Sequence, residues 1–266
     1  TVNNISSVNS AALISDRFGL SDVTFNANSL NFQPVTSGLT PSIALSAGTT
    51  SFNIGADKTL ENIFSGAGGL KQSSLFNLTL TANNSYTGAT TINVGSKLSL
   101  SGTGSIATSS GVADSGILDI SSTTSGASIK TITGSGNVTL GAQNLTLTTT
   151  AGTYSGVISG DGGVTLSAAS GTEIFTGNNT YTGPTTIASG STLALGAGGT
   201  SGSVAGNITD NGALTINRSD AAVTFGNTIT GSGTLNTSGT GTLILTGNNS
   251  YGGGTTLTRS EEHTSE

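Results

Sequence analysis

Short segments in which apolar and polar residues alternate recur along the chain. Leu78–Thr81 and Leu145–Thr148 are two examples. A period of two places the apolar side chains on one face, which is typical of β-strands with one buried side. Glycine-rich turns separate these segments at intervals too short for crossover helices, which excludes a doubly wound α/β sheet. The pattern predicts an all-β fold with strands from about residue 20 to 257 and helix in fewer than about a tenth of residues.

A motif of the form Ile-x-Gly-x-Gly, with one extra residue after the isoleucine in the first copy, occurs four times. A tyrosine follows each copy at a nearly constant distance in the sequence. The tyrosine lies about 20 residues after the first glycine of the motif, and a fixed offset of this kind marks a structural repeat. These are all 4 tyrosines of the chain. The predicted structural residues of the repeat are therefore Gly66 with Tyr86, Gly134 with Tyr154, Gly160 with Tyr181, and Gly231 with Tyr251.

Around three of the tyrosines the similarity extends over ten residues, in Asn83–Ile92, Asn178–Ile187 and Asn248–Leu257. The shared pattern is Asn-Asn-(Ser/Thr)-Tyr-(Thr/Gly)-Gly-x-Thr-Thr. Near Tyr154 the Asn-Asn pair is replaced by Ala151-Gly152. The motif resembles the passenger-associated transport repeat of bacterial autotransporters. The resemblance covers residues 57–258, whereas residues 1–56 show similar strand patterns without a clear copy.

This resemblance implies a right-handed parallel β-helix, a solenoid in which each coil stacks on the previous one and completes a shared core. The steps from Tyr86 to Tyr154, on to Tyr181 and on to Tyr251 are long, short and long. Interpreted as three coils, one coil and three coils, they predict roughly 23–27 residues per coil and about eleven coils. The four tyrosines would then occupy equivalent positions at one edge and align along the rod.

The composition agrees with a folded rod. Charged residues make up only 8% of the chain, while apolar residues make up 33% and glycine adds 41 residues. Low charge and sufficient apolar material disfavour disorder. The 7 basic residues show no cluster, which excludes a nucleic-acid surface. No apolar run approaches the ~20 residues of a membrane helix, so we expect no membrane insertion of this segment.

The last eight residues, Arg259–Glu266, differ from the rest of the chain. They contain His263, which is the single histidine, and they resemble a translated sequencing adapter. We expect a non-native tail over residues 259–266 that projects without packing. Without this histidine, neither a Ser-His-Asp site nor a histidine metal site can form. No catalytic, cofactor-binding or metal-binding residue is predicted.

Two other functions remain as alternatives. A pectate-lyase-like β-helix enzyme acting on polysaccharide would need a pair of acids a few ångströms apart. The candidate pairs are Asp114 with Asp119, Asp210 with Asp220, and Asp57 with Glu61. The favoured interpretation is that Asp119 points outward from a strand and that Asp161 and Asp210 lie in glycine-flanked turns. An ice-binding solenoid is the remote alternative, because Thr-x-Thr strands such as Thr79–Thr81 can form a flat hydroxyl array.

The resemblance implies a structural and adhesive passenger segment, not an enzyme. Such a segment is exported across the outer membrane and displayed on the bacterial cell surface, with its repeats aiding export and folding. The implied partners are a β-barrel translocator in the full-length protein and a host or matrix surface, with no cofactor and no nucleic acid. At the level of the core, Ile187 is expected to point inward and to stack on apolar residues of the coils above and below.

Overall fold

The computed structural model describes residues 2–3, 23–27, 42–45 and 47–258. Over these residues the chain forms 29 β-strands and no helix. The described residues therefore contain no helix that could span a membrane. All strand pairings between these elements are parallel. The strands stack into a β-solenoid of about 11 coils, which confirms the predicted all-β parallel fold and the number of coils. The tail over residues 259–266 lies outside the described residues.

The strands form three long sheets and two short pairs. Sheet 1 has thirteen strands: Val2–Asn3 (β1), Val23–Ala27 (β2), Thr49–Ile54 (β4), Gly69–Gln72 (β7), Thr90–Ile92 (β9), Val112–Asp114 (β11), Ile132–Gly134 (β14), Thr153–Tyr154 (β17), Thr172–Phe175 (β20), Thr192–Leu195 (β22), Ala213–Ile216 (β24), Thr234–Thr237 (β27) and Thr255–Leu257 (β29). Sheet 2 has six strands: Lys58–Leu60 (β5), Asn77–Leu80 (β8), Lys97–Gly102 (β10), Ile117–Thr123 (β12), Asn137–Gly141 (β15) and Val157–Gly160 (β18). Sheet 3 has six strands: Ala127–Ile129 (β13), Leu145–Leu147 (β16), Val164–Leu166 (β19), Thr185–Ile187 (β21), Ile208–Asp210 (β23) and Ile229–Thr230 (β26). The short pairs are Ile43–Ala44 (β3) with Phe64–Ser65 (β6), and Ala222–Phe225 (β25) with Thr242–Leu245 (β28).

Each coil has three sides, which the chain visits in the order sheet 3, sheet 1, sheet 2. The two short pairs occupy the same places in this order as sheet 3 (β3 and β6) and sheet 2 (β25 and β28). In sheet 1, Thr50 pairs with Leu70 and Leu70 with Thr90, so one coil there takes about 20 residues. This coil length varies little from Thr50 to Leu257. The longer coil predicted from the tyrosine steps was therefore wrong for this part of the rod.

The core consists of apolar columns that run along the solenoid axis. Alternation along each strand turns every second residue inward, and parallel register places these residues directly above one another. One column of sheet 2 contains fully buried aliphatic residues from five successive coils: Leu78, Leu98, Leu118, Val138 and Ile158. Because each coil shares its core only with its two neighbours, stability accumulates coil by coil.

Candidate functional site: the glycine–tyrosine clamp

The first glycine of every motif lies at the end of a strand, where the chain turns into the next side of the coil. All four adopt a positive φ: 100° at Gly66, 110° at Gly134, 124° at Gly160 and 106° at Gly231. Side chains other than glycine rarely adopt this conformation. A Cβ at each position would also collide with backbone of the coil below, for example with the carbonyl of Asp114 beneath Gly134. Both backbone conformation and close stacking therefore require glycine at these corners.

Each tyrosine lies one coil above its glycine. The residue that follows the tyrosine donates its backbone N–H to the glycine carbonyl in all four copies. The N···O distances are 2.8 Å from Thr87 to Gly66, 2.8 Å from Ser155 to Gly134, 2.9 Å from Thr182 to Gly160 and 2.9 Å from Gly252 to Gly231. The constant offset between glycine and tyrosine in the sequence is thus the length of one coil. We call this two-coil unit, from the glycine to the tyrosine, the clamp.

The tyrosine side chains fill the core beside the corner. Tyr86, Tyr154 and Tyr181 are fully buried. The hydroxyl of Tyr86 is 2.6 Å from Thr90 Oγ1, and that of Tyr181 is 2.7 Å from Thr185 Oγ1. Burial raises the pKa of both phenols, which keeps them neutral. Tyr251 makes the same contact at 2.7 Å but lies partly exposed near the end of the described coils.

The second asparagine of the motif connects three coils. Asn84 accepts the Phe64 N–H of the coil below at 2.9 Å. Its amide group donates to the Ala82 carbonyl of its own coil at 2.9 Å and to the Ser105 carbonyl of the coil above at 3.0 Å. Asn179 repeats this arrangement with Ile158, Gly177 and Ser203. Each asparagine thereby satisfies backbone groups at a corner where sheet hydrogen bonding is interrupted.

The copy around Tyr154 contains neither the threonine nor the second asparagine of the motif. Four residues after Tyr154 the chain has Ile158 instead of threonine, and the Tyr154 hydroxyl donates to Asp114 Oδ2 at 3.0 Å and to the Gly136 carbonyl at 2.7 Å. Burial raises the pKa of Asp114 to about 6, against the hydrogen bonds from Tyr154 and the Gly116 N–H, which lower it. A carboxyl from two coils below thus takes the place of the threonine.

The asparagine of this copy is also missing, and a glutamate occupies its surroundings. Gly152 stands at the asparagine position, and its N–H donates to Glu173 Oε2 of the coil above at 3.1 Å. Glu173 is fully buried, and burial raises its pKa to about 7, against hydrogen bonds from the Gly152 and Ala151 N–H groups. Glu173 Oε1 and the neighbouring Thr131 Oγ1 have no partner among the described residues. This copy therefore leaves two buried polar atoms without a hydrogen-bond partner among the described residues.

Asp210 is the counterpart of Asp114 beneath the last clamp. Its Oδ1 accepts the Gly212 N–H at 2.9 Å, as Asp114 Oδ1 accepts the Gly116 N–H at 3.0 Å. The prediction that Asp210 lies in a turn was wrong, since it ends a strand of sheet 3 and points into the core. Because Tyr251 is bonded to Thr255, Asp210 Oδ2 has no partner within the described coils, and burial raises its pKa.

Comparison with known families identifies the motif. The passenger-associated-transport-repeat family matches residues 77–96, 170–195 and 235–259. The chain carries passenger-associated transport repeats. Such repeats indicate an autotransporter passenger. The matched segments contain Tyr86, Tyr181 and Tyr251, whereas the altered copy around Tyr154 lies outside them. Comparison with curated proteins and with solved structures gives no match.

The four tyrosines are not aligned along the rod, which contradicts the prediction. Tyr154 belongs to sheet 1, whereas Tyr181 stacks over Ile158 of sheet 2 and the N–H of Ser250, the neighbour of Tyr251, bonds to Ile229 of sheet 3. Tyr86 stacks over Phe64 of the short pair on the same side as sheet 3. Successive tyrosines therefore advance by one side of the coil. The long, short and long steps between them correspond to about three and a third, one and a third, and three and a third coils.

Strand geometry separates the members of two of the three candidate carboxylate pairs. Asp114 points into the core, whereas Asp119 points outward, as predicted, and forms an ion pair with Lys97 at 2.7 Å. Asp210 is likewise buried, whereas Asp220 pairs with Arg218 at 2.8 Å. In the third pair Asp57 and Glu61 are both exposed, and Asp57 accepts the Asn77 N–H at 2.9 Å. Asp161 lies exposed in a turn, as predicted.

Sequence reasoning missed several residues that complete the clamps. The second asparagine and the threonine four residues after tyrosine both recur in three copies, and this recurrence could have nominated Asn84 and Thr90. The inward direction of Asp114 and Glu173 could have been predicted from strand alternation. Each lies two residues from an inward apolar residue, Val112 and Phe175 respectively. The signal was overlooked because a charged residue in a strand is normally assigned to the solvent face.

Proposed function

We propose that this chain is a structural and adhesive segment of an autotransporter passenger, exported across the outer membrane and displayed on the cell surface. In this proposal the transport repeats act as register clamps during folding outside the cell. The supporting observation is that the residues of each clamp bond to coils close to their own along the rod. The glycine and asparagine of one repeat bond to adjacent coils, as in the bond between the Phe64 N–H and Asn84 Oδ1, and the longest contact of a clamp tyrosine, from Tyr154 to Asp114, reaches two coils below.

Such local bonds suit a chain that emerges from a pore one end first. Each new coil needs only the coil already folded as its template, so no contact has to wait for a distant part of the chain. At the corners the main chain leaves its sheets, and a slip of one residue there would reverse every inward side chain. The clamp tyrosine and asparagine oppose this slip because each fits one register only.

Surface display of the chain fused to a β-barrel translocator tests this role. We expect Asn84→Ala combined with Asn179→Ala to reduce display several-fold, measured by protease accessibility on intact cells, with retained chain accumulating in the periplasm. The matched control replaces Asn83 and Asn248, the exposed first asparagines of two motifs, with alanine. Unchanged display after loss of both clamp asparagines would overturn the role in export.

We further propose that the segment is not an enzyme. The support is that Asp114, Glu173 and Asp210 point into the core, where substrate has no access, while Asp119 and Asp220 are held in ion pairs with Lys97 and Arg218. Incubation of the purified chain with polygalacturonate and with neutral polysaccharides should release no new chain ends. Cleavage that disappears after a single Asp or Glu replacement would establish the enzymatic alternative instead.

A further inference from the structure

A groove of about 380 Å³ opens on the outer surface where sheet 3 begins. It is lined by residues 102–105 and 125–128 of successive coils and by Asn144, Thr146 and Thr165. None of these residues is charged or aromatic. Its polar side chains carry hydroxyl groups and one amide. The groove therefore offers neutral hydrogen bonding and little apolar area.

A continuous hydroxyl ladder leads out of this groove along sheet 3. The outward residue at the centre of each strand is a serine or threonine, and the register places each directly over the one before. The ladder consists of Ser128, Thr146, Thr165, Thr186, Thr209 and Thr230. The equivalent column of sheet 2 is interrupted by Asp119, and that of sheet 1 by Lys71 and Ala113. Among the three long sheets as described, only sheet 3 presents one repeated chemical group, at the ~4.8 Å spacing of neighbouring strands.

Some of the polar side chains of the groove are engaged within the protein: Thr103 Oγ1 donates to the Thr81 carbonyl at 3.3 Å and Ser105 Oγ accepts the Ala107 N–H at 3.3 Å, whereas other groups are not. The hydroxyls of Ser128, Thr146 and Thr165 have no hydrogen-bond partner among the described residues, in contrast to Ser99 of sheet 2, which donates to Asn77 Oδ1 at 2.8 Å. Asn144 uses its Oδ1 to accept the Gly163 N–H at 2.8 Å, which leaves both amide hydrogens available. The groove therefore carries donors and acceptors directed outward, toward a ligand.

We propose that this groove and the hydroxyl ladder bind a neutral polysaccharide laid along the rod. The inference rests on the proposed adhesive function and names its ligand class. Hydroxyl and amide groups complement the hydroxyls of an uncharged sugar, which both donate and accept hydrogen bonds. The absence of charged lining residues disfavours acidic glycans, and the small apolar area disfavours lipids and apolar peptides. Repetition of one hydroxyl per coil suits a polymer with its own regular repeat.

Ice is the other repetitive ligand that a hydroxyl array could meet. The next outward column on sheet 3 contains Lys130, Thr148, Ser167, Ala188 and Asn211. A charged, irregular column beside the ladder prevents the flat two-dimensional threonine array that ice would need. We therefore expect no binding to ice, and the test includes ice as a ligand.

The test measures binding of the purified chain to immobilised neutral hexasaccharides of glucose, mannose, galactose and N-acetylglucosamine, with heparin and polygalacturonate fragments as charged competitors. The variant combines Thr146→Val with Thr165→Val, which removes two hydroxyls and keeps side-chain shape. Its matched control is Thr79→Val with Thr139→Val on sheet 2. Loss of two hydrogen bonds to ligand predicts about tenfold weaker binding for the sheet 3 variant and unchanged binding for the control.

Binding to at least one neutral hexasaccharide, weakened only by the sheet 3 variant, is the expected result. Absence of binding to every neutral glycan, equal weakening by the control, preference for the charged fragments, or growth arrest of ice crystals would each overturn the inference. None of these outcomes affects export, which the display experiment measures separately. Failure of display would contradict the proposed passenger role even if the purified chain bound glycan.

Discussion

At the residue scale, one clamp geometry is completed by two different sets of polar groups. Where threonine and asparagine are present, as with Thr90 and Asn84, neutral groups satisfy the tyrosine and the corner backbone. Where they are absent, Asp114 from two coils below and Glu173 from the coil above replace them. Because buried carboxyls lose hydration, this second solution costs more free energy and depends on protonation.

Removal of a clamp hydroxyl should therefore cost more in the acidic copy. Tyr154→Phe leaves buried Asp114 Oδ2 without its donor, and we expect the free energy of unfolding at pH 7.5 to fall by about 1–3 kcal/mol. In the control, Tyr86→Phe, Thr90 keeps Ser109 as a partner at 3.0 Å, so the free energy of unfolding should fall by only about 0.5–1 kcal/mol. Chemical denaturation followed by circular dichroism measures both. Equal losses would mean that Asp114 gains nothing from the Tyr154 hydroxyl.

The two asparagines of one motif should differ sharply in their effect. Asn84→Ala deprives the buried Phe64 N–H of its acceptor and removes one of two donors to the Ala82 and Ser105 carbonyls, which keep their backbone donors, so we expect a loss of roughly 1–3 kcal/mol. Asn83 is exposed, and Asn83→Ala should change stability by less than about 0.5 kcal/mol. Comparison of the two denaturation midpoints decides the point, and a larger effect at Asn83 would contradict it.

At the scale of single strands, alternation defines the core, but the columns are not uniformly apolar. Ile187 is buried, as predicted, and pairs in register with Leu166 below. Its partner above is the buried Asp210, where an apolar residue had been expected. A strand therefore determines which of its residues point inward, while the neighbouring coil determines what they meet.

Truncation of Ile187 to alanine should still destabilise the rod. Loss of a buried isoleucine costs about 2–5 kcal/mol, and we expect the lower part of this range because one neighbour is a carboxyl. Asp161→Ala, at an exposed turn, should leave the unfolding midpoint unchanged. Asp119→Ala, which removes the ion pair with Lys97, should cost less than about 1 kcal/mol. An Asp161→Ala effect as large as that of Ile187→Ala would contradict the assigned core.

The buried carboxyls of sheets 1 and 3 predict a rod that is more stable in mild acid. The pKa of Asp114 is raised to about 6 and that of Glu173 to about 7, above their values in the unfolded chain. The protonated forms therefore favour folding; their contribution is complete below about pH 4 and is lost as pH rises through 6 and 7. The unfolding midpoint should decrease between pH 5 and about 8, and Glu173→Gln should flatten this decrease. A midpoint that rises over this interval would contradict burial of these groups.

At the scale of the whole molecule, the chain is a linear stack with nearest-neighbour stability. Because Ile117 and Asn137 are partners in sheet 2, deletion of residues 117–136 removes one coil and preserves the register of the strands on either side. We expect this variant to remain folded, with a denaturant m-value lower by roughly one-eleventh. Deletion of residues 117–126 removes half as many residues but shifts the sides of the coil, and we expect it to unfold the adjoining coils. Similar stability of the two variants would contradict a register-dependent stack.

The sequence by itself determined the strand class, the stacking and the repeat unit, because these depend on local alternation and on glycine corners. The offset between Gly66 and Tyr86 already contained the length of a coil. The tertiary structure decided which side of the rod each repeat occupies, since a shift of a third of a coil per copy leaves no mark in any single motif. It also decided that Asp114, Glu173 and Asp210 are buried, because the partner of an inward side chain belongs to another coil, which is distant in the sequence.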